Sequence, residues 1–200
     1  MQSTMLQHKI ENKIEKLETQ AGHVKHAKSE NPMRRIEIDK ITLNIGAGAP
    51  GEGLEKAIKL LSKISGSKPK VTKTKKRIPT WGVRPGLEIG AKVTIRGKKA
   101  VEVLTALLAS QKNSIPASKF DDHGNISFGI QEYLLVQGVA YDPTIGIIGF
   151  EVAITLKRPG FRIKNRTAKW RKIPTRHQIT KLEAIEFMKK NFSIEVTQDA

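Results

Sequence analysis

The chain has 200 residues, with 36 Lys and Arg against 19 Asp and Glu, a net charge of +17, 38% hydrophobic residues and 5% aromatic ones. It has no cysteine, which excludes a disulfide framework, a thiolate zinc site and a cysteine nucleophile. No run approaches the ~18 uninterrupted apolar residues of a membrane helix, and His8 and Lys9 interrupt any apolar signal core. The expectation is a folded, cytoplasmic, strongly basic protein whose first partner is a polyanion and not a membrane.

Residues 1–30 are polar, with Leu6, Ile10, Ile14 and Leu17 spaced for a short amphipathic helix, and Gly22 to Pro32 reads as a linker. Residues 31–200 are expected to form one domain. Ile36 and Ile38 share one face of a strand, while Ile41, Leu43 and Ile45 have the other parity, so a bulge is predicted at Asp39–Lys40. Leu54, Ala57, Ile58, Leu61 and Ile64 then predict an amphipathic helix, ended by Gly66 and Pro69. Leu87, Ile89, Ala91, Val93 and Ile95 alternate without a break. The partner of that strand is expected at 70–78, with a long tip over 79–86. Ala100, Leu104, Leu107 and Leu108 predict a second helix. Strands follow at 126–130 and 150–156, and Thr180 to Glu183 reads as the capping box of a last helix.

The order β-α-β-β-α-β, extended by a further strand and helix, predicts an α+β fold. It resembles the split βαβ plait, a largely antiparallel sheet with helices on one face. The other face should be open and carry Thr42, Asn44, Lys92, Thr94, Arg96, Thr155 and Lys157. Small polar and cationic groups of this kind suit sugar and phosphate oxygens. The face lacks the stacked aromatics that bind unpaired bases, so a structured RNA read through its shape and backbone is expected.

The charge is concentrated. From Ser67 to Lys99 there are eleven basic residues and one acid, and from Lys157 to His177 nine basic residues and no acid. One-sign blocks repel themselves and call for solvent or a partner of opposite charge. The first block has Trp81 at its hairpin tip among Lys73, Lys75, Lys76, Arg77 and Arg84. The second, the basic arm 158–177, holds Arg158, Arg162, Lys164, Arg166, Lys169, Trp170, Arg171, Lys172 and Arg176. Each tryptophan can stack on a nucleotide while the cations meet phosphates, or it can plug its own loop.

Other motifs read blandly. Gly46 to Gly51 fits G-x-G-x-x-G, but Pro50 removes an N–H where a pyrophosphate needs donors and no acid follows at the ribose spacing. Asp121, Asp122 and His123 could seat a divalent ion for a metal-dependent nuclease, yet His123-Gly124-Asn125 reads better as a tight turn. His23 and His26 lie in the polar linker without a third ligand. No catalytic residue, metal site or cofactor is assigned. A free-standing RNA chaperone is the remaining alternative on composition alone.

Several linked motifs occur in order: Ile41-Thr42-Leu43-Asn44-Ile45-Gly46-Ala47-Gly48, Ser65-Gly66-Ser67-Lys68-Pro69, Thr72-Lys73-Thr74-Lys75-Lys76, Ile89 to Gly97, and Phe120-Asp121-Asp122-His123-Gly124-Asn125-Ile126-Ser127-Phe128-Gly129-Ile130. Over about residues 31–192 the chain resembles the universal large-subunit ribosomal protein five family. The segment from Arg158-Pro159-Gly160-Phe161 and the helix after it resemble the archaeal form. That resemblance implies a structural protein of the central protuberance that attaches 5S rRNA to the large subunit, with Asn44, Thr94 and Arg96 facing the 5S rRNA. It also implies that the tip at 73–86 reaches the elbow of P-site tRNA. The segment with Gln137, Tyr141, Asp142 and Thr144 would touch a small-subunit head protein. Large-subunit rRNA and a neighbouring 5S-binding ribosomal protein complete the implied partners. Ser67 stands where relatives often carry Gln, so no contact of that amide is carried over.

Overall fold

A computed structural model describes residues 31–197. The helix expected near the N-terminus, most of the linker, and His23 and His26 fall outside that range. The described residues form two compact units, one of Glu37–Lys157 with the segment from Ile179 onward, the other of residues 31–36 with Arg158–Gln178.

In the larger unit, strand β1 (Glu37–Gly46) runs into helix α1 (Glu52–Ser65), followed by β2 (Lys70–Lys73), β3 (Glu88–Ile95) and helix α2 (Lys98–Ser110). A short strand β4 (Ser114–Pro116), β5 (Ile126–Ile130), β6 (Phe150–Lys157), helix α3 (Lys181–Phe192) and a short β7 (Glu195–Thr197) complete it. Five strands make an antiparallel sheet in the order β2-β3-β1-β6-β5. The first three strands take the order of the split βαβ plait. The place beside β1 that the next strand of a plain plait would fill belongs to β6, and β5 is displaced to the edge. The expected partner of β3 is shorter than its sequence range suggests, because β2 stops at Lys73. Further on, only Ile78 and Val83 pair, as an isolated bridge. The parallel pair β4–β7 has three residues in each strand, too few to leave an alternation in the sequence.

Alternation decides the packing. Ile41, Leu43 and Ile45 of β1 are at most 5% exposed, and Val93, Ile95, Val152, Ile154, Ile126 and Ile130 are buried with them. Helices α1 and α2 cover this side with Leu54, Ala57, Leu60, Leu61, Leu104, Leu107 and Leu108, all buried. The β1–β6 register shifts between Ile38 and Lys40, so Asp39 is the extra residue of the predicted bulge. Gly66 ends α1 in the left-handed conformation at φ 55°, its N–H returning to the Ser62 carbonyl. Thr180 and Glu183 form the reciprocal capping box at the start of α3.

Two neighbouring residues therefore carry different free energies. Leu43→Ala is expected to lower folding stability by about 2–5 kcal/mol, the cost of a cavity in a buried core. Thr42→Ala, on the other face, should cost less than about 1 kcal/mol. Urea titrations of the two variants measure this, and equal losses would contradict the assignment of faces.

Candidate nucleic-acid interface

The uncovered sheet face is built by the strand register. Lys70 lies across from Lys92, Lys92 across from Asn44, Asn44 across from Glu151, and Glu151 across from Gly129. The next row is Thr94, Thr42, Ala153 and Ser127. Lys92, Thr94 and Arg96 are exposed, while Thr42, Asn44, Thr155 and Lys157 are half-exposed. All seven residues expected on the face thus share one side, opposite the buried isoleucines and leucines. Sequence reasoning missed two acids there. Asp39, pushed out by the bulge, lies 3.6 Å from Arg96 and 3.9 Å from Lys157. Glu151 accepts a 3.3 Å hydrogen bond from the Asn44 side-chain amide. Its parity with Thr155 and Lys157 was the signal available in the sequence.

The tip after β2 is a tightened hairpin. Thr74 and Leu87 hydrogen-bond at its base, the Thr74 hydroxyl donates to the Arg84 carbonyl, and Ile78 and Val83 exchange backbone hydrogen bonds further out. A turn of 3-10 helix at Pro79–Trp81 ends on Gly82 at φ 64°. Val83 is buried whereas Trp81 is 75% exposed, so the indole does not plug its own loop. Lys75, Lys76, Arg77 and Arg84 are exposed around it, and Lys73 at the base pairs with Glu88 at 3.2 Å.

The arm forms the second unit with residues 31–36. It contains two turns of 3-10 helix, Phe161–Lys164 and Thr175–His177, each closed by a backbone N–H donating to a carbonyl within the turn. Arg166 donates to the Lys169 carbonyl at 2.9 Å and the Trp170 indole N–H to the Lys164 carbonyl at 2.8 Å. The Lys164 ammonium sits 5.1 Å from the Phe161 ring centre. Arg162, Lys164, Arg166, Lys169, Arg171, Lys172 and Arg176 are exposed, and Trp170 is 54% exposed. Arg158 corrects the expectation for this segment. It is 3% exposed and its guanidinium donates to the carbonyls of His177 and Gln178, clamping the two ends of the arm instead of facing outward.

The loop between β5 and β6 is anchored on buried Tyr133, whose hydroxyl accepts from the Asp142 N–H at 3.1 Å. One Asp142 carboxylate oxygen accepts from the Thr144 hydroxyl at 2.7 Å and the Thr144 N–H at 3.0 Å. Lys63 of α1 donates to the Ala140 carbonyl at 2.8 Å. Gln137, Thr144 and Tyr141 are exposed, Tyr141 by 57%.

The remaining motifs are tied up locally. In the glycine-rich turn the N–H groups of Ala47 and Gly48 both donate to the Ile89 carbonyl, so they do not point at an anion. The Asp121 carboxylate accepts from the Asp122 N–H and the Asn125 amide, and Gly124 turns the chain at φ 75°. No cluster of three His, Asp or Glu side chains occurs among the described residues.

An uncovered polar sheet face in a chain that also carries cationic loops is the architecture of an RNA-binding α+β protein. Residues 31–84 match the family model described as ribosomal protein L5, and residues 88–189 match the model for the C-terminus of the same ribosomal family. The chain is 51% identical over 169 residues to the large ribosomal subunit protein uL5 of Sulfurisphaera tokodaii, covering 84% of this chain and 96% of the relative. It is 49% identical to that of Sulfolobus acidocaldarius (88% and 98% covered) and 46% identical to that of Nanoarchaeum equitans (84% and 99%). The chain belongs to the ribosomal protein L5 family.

The two hydrogen bonds from Thr144, aided by Lys63 and Lys59, outweigh desolvation and hold the Asp142 carboxyl below its ordinary range. A lowered folded-state value stabilises the loop at pH above the usual aspartate pKa, and the contribution is lost as pH falls through the lowered value. In an NMR titration the Thr144 amide should therefore titrate below the ordinary aspartate pKa of about 3.9. Asp142→Asn should abolish that titration. A midpoint at or above the ordinary value would contradict the hydrogen-bonded geometry.

Proposed function

We propose that the protein is a non-enzymatic constituent of the large ribosomal subunit that holds 5S rRNA against its uncovered sheet face. The relatives are large-subunit proteins by name. The observation that carries the reading is that face itself, one side of a five-stranded sheet left without a helix among the described residues and furnished with hydroxyls, an amide and cations. Thr42, Asn44, Lys92, Thr94 and Arg96 take sugar and phosphate oxygens, the contacts that position a protein on RNA. The exposed cations of the arm and Trp170 lie on large-subunit rRNA, while Arg158 stays inside as their anchor. Trp81 at the tip stacks on the elbow of P-site tRNA, with Lys75, Lys76, Arg77 and Arg84 on its phosphates. The loop with Gln137, Tyr141, Asp142 and Thr144 meets a small-subunit head protein, and a second 5S-binding ribosomal protein lies alongside.

Phosphate contacts release counterions, each contributing about −0.7 to −0.9 to the slope of log K against log salt. Titration of the full chain with 5S rRNA at several salt concentrations should give a slope steeper than about −3. A flat response would remove the electrostatic basis of the reading.

The tip and the face are expected to act separately. In ribosomes carrying Trp81→Ala with Arg84→Ala, chemical protection of the P-site tRNA elbow should weaken, since base stacking contributes about 1–3 kcal/mol. The affinity of the same variant for 5S rRNA should be unchanged. Loss of 5S binding with intact tRNA protection would reverse the two assignments.

A further inference from the structure

Glu151 is out of place on a surface made for phosphates. The other acid on the face, Asp39 at the bulge, is answered by Arg96 and Lys157. Glu151 has no Lys or Arg within 4.0 Å among the described residues, and one of its oxygens accepts only from Asn44 at 3.3 Å. It stands on a groove of about 540 Å³ lined by Asn44, Gly46, Gly129, Gln131 and Gly149 among others. A Cβ built at Gly46 or Gly129 would meet nothing within 4 Å, so the space beside the carboxylate is open. Gly149 is different, because a Cβ there would lie 2.6 Å from the Gln131 carbonyl oxygen. Backbone packing requires that glycine.

A carboxylate only accepts hydrogen bonds. Against phosphate it is repulsive, so its place in an RNA surface depends on finding a donor. The shallow groove of an RNA helix offers two kinds, ribose 2′-hydroxyls and the exocyclic amine of guanine. The hydroxyls stand on the rim, within reach of short side chains such as Thr42 and Thr94, which both donate and accept. The amine lies on the floor, where only a longer acceptor reaches. Glu151 is the longest acceptor in its two rows of the face, Asn44 fixes its direction, and the glycines let a sugar–phosphate edge sink beside it.

We propose that Glu151, positioned by Asn44, reads the exocyclic amine of a guanine in a helical segment of the bound RNA, giving the face a base-specific contact. This rests on the reading of the face as the 5S rRNA surface.

The test uses the full chain and a 5S rRNA transcript from the same organism. If Glu151 acted through charge alone, Glu151→Ala and Glu151→Gln would both tighten binding, since each removes a negative charge from a surface facing a polyanion. Guanine recognition requires the opposite order. Glu151→Ala, which leaves no acceptor, should bind about tenfold more weakly. Glu151→Gln, which keeps one acceptor oxygen and its link to Asn44, should fall between it and the wild type. Interference mapping with inosine, which lacks the exocyclic amine, should show a guanosine needed by the wild type and not by Glu151→Ala. Equal or tighter binding by Glu151→Ala would overturn the proposal, as would a Glu151-dependent position sensitive to 2′-deoxy substitution and not to inosine. A wild-type chain that does not bind the transcript would overturn the broader reading, and this one with it.

Discussion

The two-residue period of β1, interrupted once, determines where every other group of the larger unit can go. From Ile41 to Ile45 the odd positions are buried and the even ones face out. A slip of one residue would bring Thr42 and Asn44 into the core and put three large aliphatic side chains in water. Before the bulge the phase is reversed, with Ile38 across from Leu156 and Glu37 across from Lys157. A single extra residue reconciles the two phases and projects Asp39 toward Arg96 and Lys157. The same residue therefore sets the hydrophobic register and tempers the charge at one end of the open face.

Charge elsewhere is ordered without being cancelled. In the arm, Arg158, Arg166 and the Trp170 indole all donate to backbone carbonyls. Carbonyl dipoles fix the direction of a guanidinium, yet leave its unit charge intact. An arm held by carboxylates would have been rigid but neutral. Held as it is, the segment presents oriented cations whose field has to be answered from outside. The hairpin tip follows the same logic, since its hydroxyl and backbone groups bond one another and its lysines and arginines remain exposed.

Much of this was legible in the chain because the signals were local. The left-handed Gly66, the Thr180 capping box and the phase slip at Asp39 each rest on two to four neighbouring residues. The open face followed from alternation alone, and parity could have placed Glu151 on it as well. Other features depend on partners distant in sequence. The edge position of β5 is a matter of which strand docks beside β1, and both β5 and β6 have suitable alternation. β4 and β7 pair residues 114–116 with residues 195–197, a contact that three-residue segments cannot announce. Arg158 reads as one more surface cation until the carbonyls of His177 and Gln178 close around it, and those lie 19 and 20 residues on.

The open face and the loops differ in one respect that bears on their tasks. The arm contains no acid and the tip only basic and neutral side chains, so a surface of that kind attracts any phosphate backbone and discriminates poorly. On the face, Lys70, Lys92 and Arg96 alternate with hydroxyls, an amide and two carboxylates. Each carboxylate weakens general attraction to a polyanion, and it makes the remaining attraction conditional on donors being placed opposite. On the proposed reading, affinity comes largely from the loops and selectivity from the sheet. The placement of β1 and β6, each held on both sides by antiparallel neighbours, is what permits acceptor positions to matter at all, because a mobile carboxylate would simply swing away from the wrong partner.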